Sequence, residues 1–160
     1  MQKSTTYRIG EADYTLAKPT PRQQKYLTRL NREATQAADM DAKGNDNLLI
    51  IFSVLWSGLV EIEKVTEYLA VLIVPQGDVW SEDLMAKTKA VLDAEEFASL
   101  SDLFQKAVAD FFANEPRLSQ PIMISVLSSI KGSARLMEFL EPESDRKVAA
   151  LSGLTPVATA

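Results

Sequence analysis

The feature that most constrains the fold is a run of 13 residues, Leu48 to Val60, without a single charged side chain. The run is shorter than the roughly 20 residues that a helix needs to cross a bilayer, so we expect it inside a folded domain. Written as a helix it is apolar on every side, and such a helix is buried on two sides, by its own fold or by a partner. Any fold for this chain must therefore explain two covered faces.

The two faces of this helix carry different residues. Ile50 and Val54 fall opposite the larger stripe, and Ser57 and Gly58 beside them would let another helix approach closely. We therefore predict that Ile50, Val54 and Ser57 bind a partner, with coverage by the hairpin or by the predicted helix from Leu100 to Phe112 as the alternative. Four large residues form the stripe that we expect to anchor the helix in the core: Leu48, Phe52, Leu55 and Leu59.

The rest of the chain predicts a mainly α fold. Two short alternating runs joined at Gly10 indicate a β-hairpin over about residues 6–17. Thr20 and Pro21 are typical of a helix start, with Gln23 at the capping-box position. Apolar residues at helical spacing continue to residue 130 and predict a compact bundle of about five or six helices. We interpret the bulky aromatic residues, including Trp56 and Phe104, as core.

The predicted domain organisation is simple. Residues 1–143 are expected to form a single helical domain with the hairpin at its N-terminus. Residues 144–160 are rich in Ser, Thr and Ala with little periodicity, which predicts a flexible C-terminal tail. The N-terminal residues have no apolar signal-peptide core, so we expect an intracellular protein without a membrane partner.

Composition disfavours most catalytic chemistry. The chain contains neither histidine nor cysteine, which excludes Ser-His-Asp catalysis, thiolate nucleophiles and nearly all catalytic zinc sites. Its 6 glycines are isolated and build no phosphate-binding loop. Glu63 and Glu67 share a helix face, but with Lys64 between them we interpret that face as solvated. We therefore predict no catalytic residues, no cofactor, no metal and no enzymatic activity.

Charge is distributed unevenly along the chain. Up to Asn45 there are 8 basic and 5 acidic residues, whereas from Asp46 onward there are 9 basic and 17 acidic ones. Arg22, Lys25 and Arg29, with Arg32, follow one face of the first predicted helix. This basic stripe is interpreted as a solvated face or as a surface for an acidic protein. Nucleic acid is an unlikely partner for such an acidic body, because phosphate neutralisation needs concentrated Lys and Arg.

The opening segment carries a resemblance to a known family. Residues 7–22 read YRIGEADYTLAKPTPR, an apolar–x–apolar–Gly pattern followed by Tyr-x-Leu and a Pro-Thr helix start. This segment resembles the start of tail assembly chaperones of long-tailed bacteriophages and prophages. The resemblance covers about 16 residues and the order of the elements. It implies a chaperone that binds the helical tape-measure protein and recruits tail-tube subunits.

Several expectations follow from this resemblance. The protein would act in the cytoplasm of the bacterial host and be absent from the mature virion, and it could form homo-oligomers. One alternative is a small structural tail-completion or adaptor protein of the virion. A second alternative is a regulatory nucleic-acid-binding protein that uses the basic stripe.

Overall fold

The computed structural model describes residues 5–38 and 47–129. Its elements follow the order β-β-α-α-α-β-α-α-α. The strands are β1 (Thr6–Ile9), β2 (Ala12–Leu16) and β3 (Ile73–Pro75). The helices are α1 (Pro21–Ala37), α2 (Asn47–Glu61), α3 (Val65–Leu72), α4 (Glu82–Asp93), α5 (Phe97–Asn114) and α6 (Pro116–Ser129). The predicted mainly α fold with an N-terminal hairpin is confirmed, while the predicted tail over 144–160 lies outside the described residues.

The hairpin forms where the alternating pattern places it. Ile9 pairs with Ala12, so the loop contains only Gly10 and Glu11. Gly10 has a φ of +62°, which a first loop residue of a type II′ turn requires and which glycine adopts without strain. Tyr7 and Ile9 point into the core on one face of the ribbon.

A third strand, β3, was not predicted from the sequence. It pairs antiparallel with β2, with Thr15 opposite Val74, and gives the sheet order β1-β2-β3. The sequence pattern instead predicts one helix through residue 74. The short apolar run ending at Pro75 has no periodicity that separates a strand from the end of a helix, so pairing with β2 decides its conformation.

Capping at the start of α1 differs from the predicted capping box. The Gln23 N–H donates to the Thr20 hydroxyl at 3.2 Å, as the motif requires. The Gln23 side chain does not return to Thr20; it is buried and its amide donates to the Val71 carbonyl at 2.9 Å. Gln23 therefore ties α1 to α3, which is a tertiary role that local spacing does not predict.

The closest helix contact joins α1 and α2 at Gly58. A Cβ atom placed on Gly58 would lie 1.7 Å from the carbonyl oxygen of Ala34. Only a glycine permits this approach, and Ala34 itself is fully buried. The predicted close approach at Gly58 is thus present, but it is made by α1 of the same chain.

The remaining helices complete the core around α3. The sequence predicts Ser81 as a helix cap, and α4 begins there, with the Leu84 N–H donating to the Ser81 hydroxyl at 3.1 Å. The sequence also predicts a helix start at Gln120–Pro121, but α6 begins earlier, with Pro116 at the first helical position and Pro121 inside the helix. The largest fully buried side chains are Tyr68, Phe104, Leu27, Leu30, Ile51, Leu55, Leu59, Leu69, Leu72, Ile73, Leu92 and Leu127.

Candidate functional site

Ile50 and Val54, the predicted partner-binding residues of α2, lie in the core of the chain itself. Their side chains are only 3% and 4% exposed and belong to the main core. Ile50 and Val54 lie on one side of the Gly58 contact with α1, and the stripe with Leu55 and Leu59 lies on the other side of it. The two apolar stripes are therefore covered together by the protein's own helices.

Helix α2 has a third face, opposite Gly58, and this face points outward. Leu49 lies nine residues before Gly58, which is half a turn away on the helix at about 100° per residue. Leu49 is 61% exposed and Val60 38% exposed, and Trp56 between them is half-buried. Ser53 on the same face donates its hydroxyl to the Leu49 carbonyl at 2.9 Å, so its polar group is satisfied within the helix. This face is thus apolar and open.

Helix α5 supplies the second wall of the site. The Trp56 ring lies 5.2 Å from both Phe97 and Phe104, in tilted geometry. Phe52 contacts Phe112 at 6.3 Å between ring centroids. Aromatic side chains therefore fill the space between the two helices and leave a channel above them. We call this channel the α2–α5 groove, defined by Leu49, Phe52, Trp56, Val60, Phe97 and Phe104.

Three depressions follow one another along the α2–α5 groove. The first, of about 310 Å³, lies at Val60 and Phe97. The second, of about 270 Å³, lies between Trp56, Ser53 and Gln105. The third, of about 490 Å³, begins at Phe52 and extends to β1. The second and third depressions share Phe52 and Gln105, and the first is linked to the second by the contact between the Phe97 and Trp56 rings.

The exposed apolar residues concentrate at this groove. Five large apolar side chains of the described residues are exposed, and three of them, Leu49, Val60 and Phe97, border the groove. Phe97 is 60% exposed in the first turn of α5, in contact with the Trp56 ring. A contiguous apolar patch of this kind marks a protein-interaction site, because exposing it to water is unfavourable.

The far end of the groove is closed by a polar contact between β1 and α5. The Tyr7 hydroxyl donates to the Asp110 carboxylate, and both residues border the third depression. Burial raises the pKa of Tyr7 far above its ordinary value, and the Asp110 carboxylate raises it further. Tyr7 therefore remains a neutral hydrogen-bond donor that fixes the strand against the helix.

The other predicted site residues lie outside the groove. Ser57 is half-buried at the margin between the open and the covered faces of α2. Arg22, Lys25 and Arg29 are exposed on α1, which packs against the opposite side of α2. A partner-binding role for these four residues stays a prediction.

Two cations of the basic stripe contact the protein itself. The Arg22 Nε atom lies 2.8 Å from the Glu82 carboxylate on α4. The Arg29 guanidinium lies 4.7 Å from the centre of the Tyr26 ring. Lys25, between them, makes no ion pair within residues 5–38 and 47–129. In the basic stripe, Arg22 and Arg29 thus contact other residues of the chain, whereas Lys25 has no ion-pair partner in the described residues.

Sequence reasoning missed the groove, although a signal was present. It assigned Trp56 to the core and did not single out Phe97. Leu49, Ser53, Trp56 and Val60 recur at intervals of four, three and four residues, which is one helix face opposite Gly58. Recognising Gly58 as the residue of α2 that contacts α1 would have shown which face of α2 is open.

Two searches of the described residues bear on the class of site. None of the helices there combines the length and the apolar character needed to cross a membrane. No three acidic side chains gather in that part of the chain in a way that could hold a metal ion. No protein-family model, curated protein or solved structure matches the chain.

Proposed function

We propose that this protein is a non-enzymatic assembly chaperone that holds an apolar helical segment of a partner in the α2–α5 groove. The observation that carries the proposal is the row of depressions along α2 and α5, with Trp56 at its centre and exposed Phe97 at its rim. Amphipathic helices bind grooves of this kind through apolar side chains at helical spacing. The net charge of −5 keeps such a protein soluble while it exposes apolar surface.

The resemblance of residues 7–22 to phage tail assembly chaperones supplies the identity of the partner in this proposal. The partner is the tape-measure protein, and tail-tube subunits then assemble around it. The protein acts in the cytoplasm of the bacterial host and leaves before the tail is complete. The absence of histidine and cysteine from the sequence agrees with a role in binding rather than catalysis.

A co-expression experiment tests this proposal. The tape-measure protein proposed as the partner is produced with the wild-type chain or with the variant Phe97→Asp, and its soluble yield is measured. Because Phe97 is 60% exposed, the variant is expected to fold, while its affinity for the partner falls by roughly tenfold or more.

A matched control separates the groove from exposed apolar residues in general. Val79 is 70% exposed and lies outside all three depressions of the groove. Val79→Asp should therefore keep the tape-measure protein soluble. Equal yields with Phe97→Asp and Val79→Asp would contradict the proposal, and so would finding the protein in purified mature particles by mass spectrometry.

A further inference from the structure

The Phe97 end of the α2–α5 groove is acidic. Glu63 and Asp93 border the same depression as Val60 and Phe97. Glu96, exposed, directly precedes Phe97. At the other end, Lys106 and Asp110 both border the depression that begins at Phe52, so that end carries one charge of each sign. The excess of negative charge therefore lies at the Phe97 end.

Not all of these carboxylates are available to a partner. Asp93 already accepts hydrogen bonds from Lys89 at 2.8 Å and from Thr66 at 2.5 Å. Glu63 and Glu96 make no ion pair within the described part of the chain. Two uncompensated carboxylates thus stand beside the exposed Phe97.

Glu63 occupies a position that usually belongs to glycine. Its φ of +58° lies in the left-handed region, and it follows α2 directly. The Lys64 N–H donates to the Leu59 carbonyl at 2.9 Å, and the Glu63 N–H donates to the Val60 carbonyl at 3.1 Å. These bonds form a Schellman-type end, in which glycine fits better than a residue with a side chain. The carboxylate of Glu63 can therefore be removed without loss of the helix end.

We infer that the groove selects an amphipathic helix whose apolar face is followed by Lys or Arg at one end, and that this basic end binds Glu63 and Glu96. The inference rests on the proposed function, since it assumes that the groove receives a helix. From Leu49 to Val60 the open face of α2 is about 16 Å long, three helical turns at 1.5 Å per residue. Apolar contacts fix the position, whereas the charges fix the orientation of the bound helix.

Synthetic peptides of about 18 residues provide the test. All carry the same Leu-rich helical face, and one ends in three Lys, another in three Gln and a third in three Glu. Binding to the full-length protein is measured by fluorescence anisotropy at low and high salt. We expect the Lys peptide to bind about fivefold more tightly than the Gln peptide at low salt, with the Glu peptide weakest. High salt should reduce these differences.

Two double variants assign the preference to particular residues. Glu63→Gly with Glu96→Gln should remove the preference for the Lys peptide, keep the affinity for the Gln peptide and not lower Tm. The control variant, Glu11→Gln with Asp78→Asn, changes the net charge equally at exposed residues that border none of the three depressions. It should keep the full preference.

The outcomes distinguish this inference from the proposed function. Equal binding of the three peptides, or a preference that survives in the Glu63/Glu96 variant, would overturn the inference and leave helix binding intact. Failure of all three peptides to bind would overturn both. Sedimentation of the free protein as a dimer that Phe97→Asp dissociates would make a second copy of this chain the occupant, which also overturns the inference.

Discussion

Gly58→Ala is the substitution that tests the packing of this fold most directly. Two effects oppose each other at this position. Alanine is a better helix former than glycine by about 1 kcal/mol, so an unobstructed site would be stabilised. The new methyl group, however, would lie 1.7 Å from the Ala34 oxygen, 2.4 Å from its carbonyl carbon and 2.8 Å from its Cα. All three neighbours are backbone atoms, so no side-chain rotation relieves the clash.

The magnitude follows from the displacement that the clash imposes. Ordinary contacts between heavy atoms are about 3.5 Å, so α1 has to move by about 1.5–2 Å relative to α2. Leu27, Leu30 and Ala34 of α1 are fully buried, and their packing loosens with that movement. Overpacking a core costs typically 1–3 kcal/mol and sometimes more. Because backbone atoms clash, we place the cost at the top of this range, and after the helix-propensity gain we expect a net destabilisation of about 2 kcal/mol and a Tm lower by about 4–8 °C.

Urea unfolding monitored by circular dichroism measures the free energy of unfolding of both proteins. Ser57→Ala is the matched control, because it adds no atom and lies one position away in the same helix. Its stability should stay within about 0.5 kcal/mol of the wild type. If Gly58→Ala were as stable as the wild type or more stable, α1 would not approach α2 at this residue, and the assignment of the open face opposite Gly58 would lose its basis.

Two further predictions concern hydrogen bonds. Tyr68, whose pKa is raised by burial, donates to the Asn31 side chain at 2.7 Å, and the amide nitrogen of this buried Asn31 has no partner within the described residues. Tyr68→Phe should lower the free energy of unfolding in urea by about 1–3 kcal/mol, and adding Asn31→Leu should recover most of this loss. An unchanged free energy of unfolding in Tyr68→Phe would contradict this pairing. Hydrogen bonds from Lys89 and then Thr66 hold the pKa of Asp93 below its ordinary value of 3.8. The stability that Asp93 contributes is therefore fully present above pH 3.8 and is lost as the pH falls through the lower pKa of the folded state. Thermal unfolding between pH 5 and pH 2 should therefore show a shallower acid decline for Asp93→Asn than for the wild type, and parallel curves would contradict the assignment.

Local signals in the sequence predicted the elements well. The hairpin was predicted from the alternation of apolar residues and from Gly10 alone. The starts of α1 and α4 were predicted from Thr20 and Ser81 as caps. The third strand could not be predicted, because residues 73–75 become extended only through pairing with β2. Gln23 shows the same limit, since its partner at Val71 is 48 residues away.

The open face of α2 could not be located from the sequence for a related reason. Periodicity identified two apolar stripes on α2 correctly but contains no information on which neighbour covers which stripe. The contact at Gly58 lies between the stripes, so that α1 and the elements around it cover both. The open face then carries Trp56, which hydrophobicity alone assigns to the core.

Under the proposed function, the division of α2 into two faces lets one apolar helix serve both folding and binding. Gly58 and the buried Ile50 and Val54 belong to the covered face, whereas Trp56 and Val60 belong to the open one. Substitutions on the covered face should change stability first, and substitutions on the open face should change partner affinity with little effect on stability. Phe97 belongs to the second class because it is mostly exposed, with its ring against Trp56. For the chaperone role proposed above, this separation is an advantage, since the residues of the covered face are packed within the chain itself.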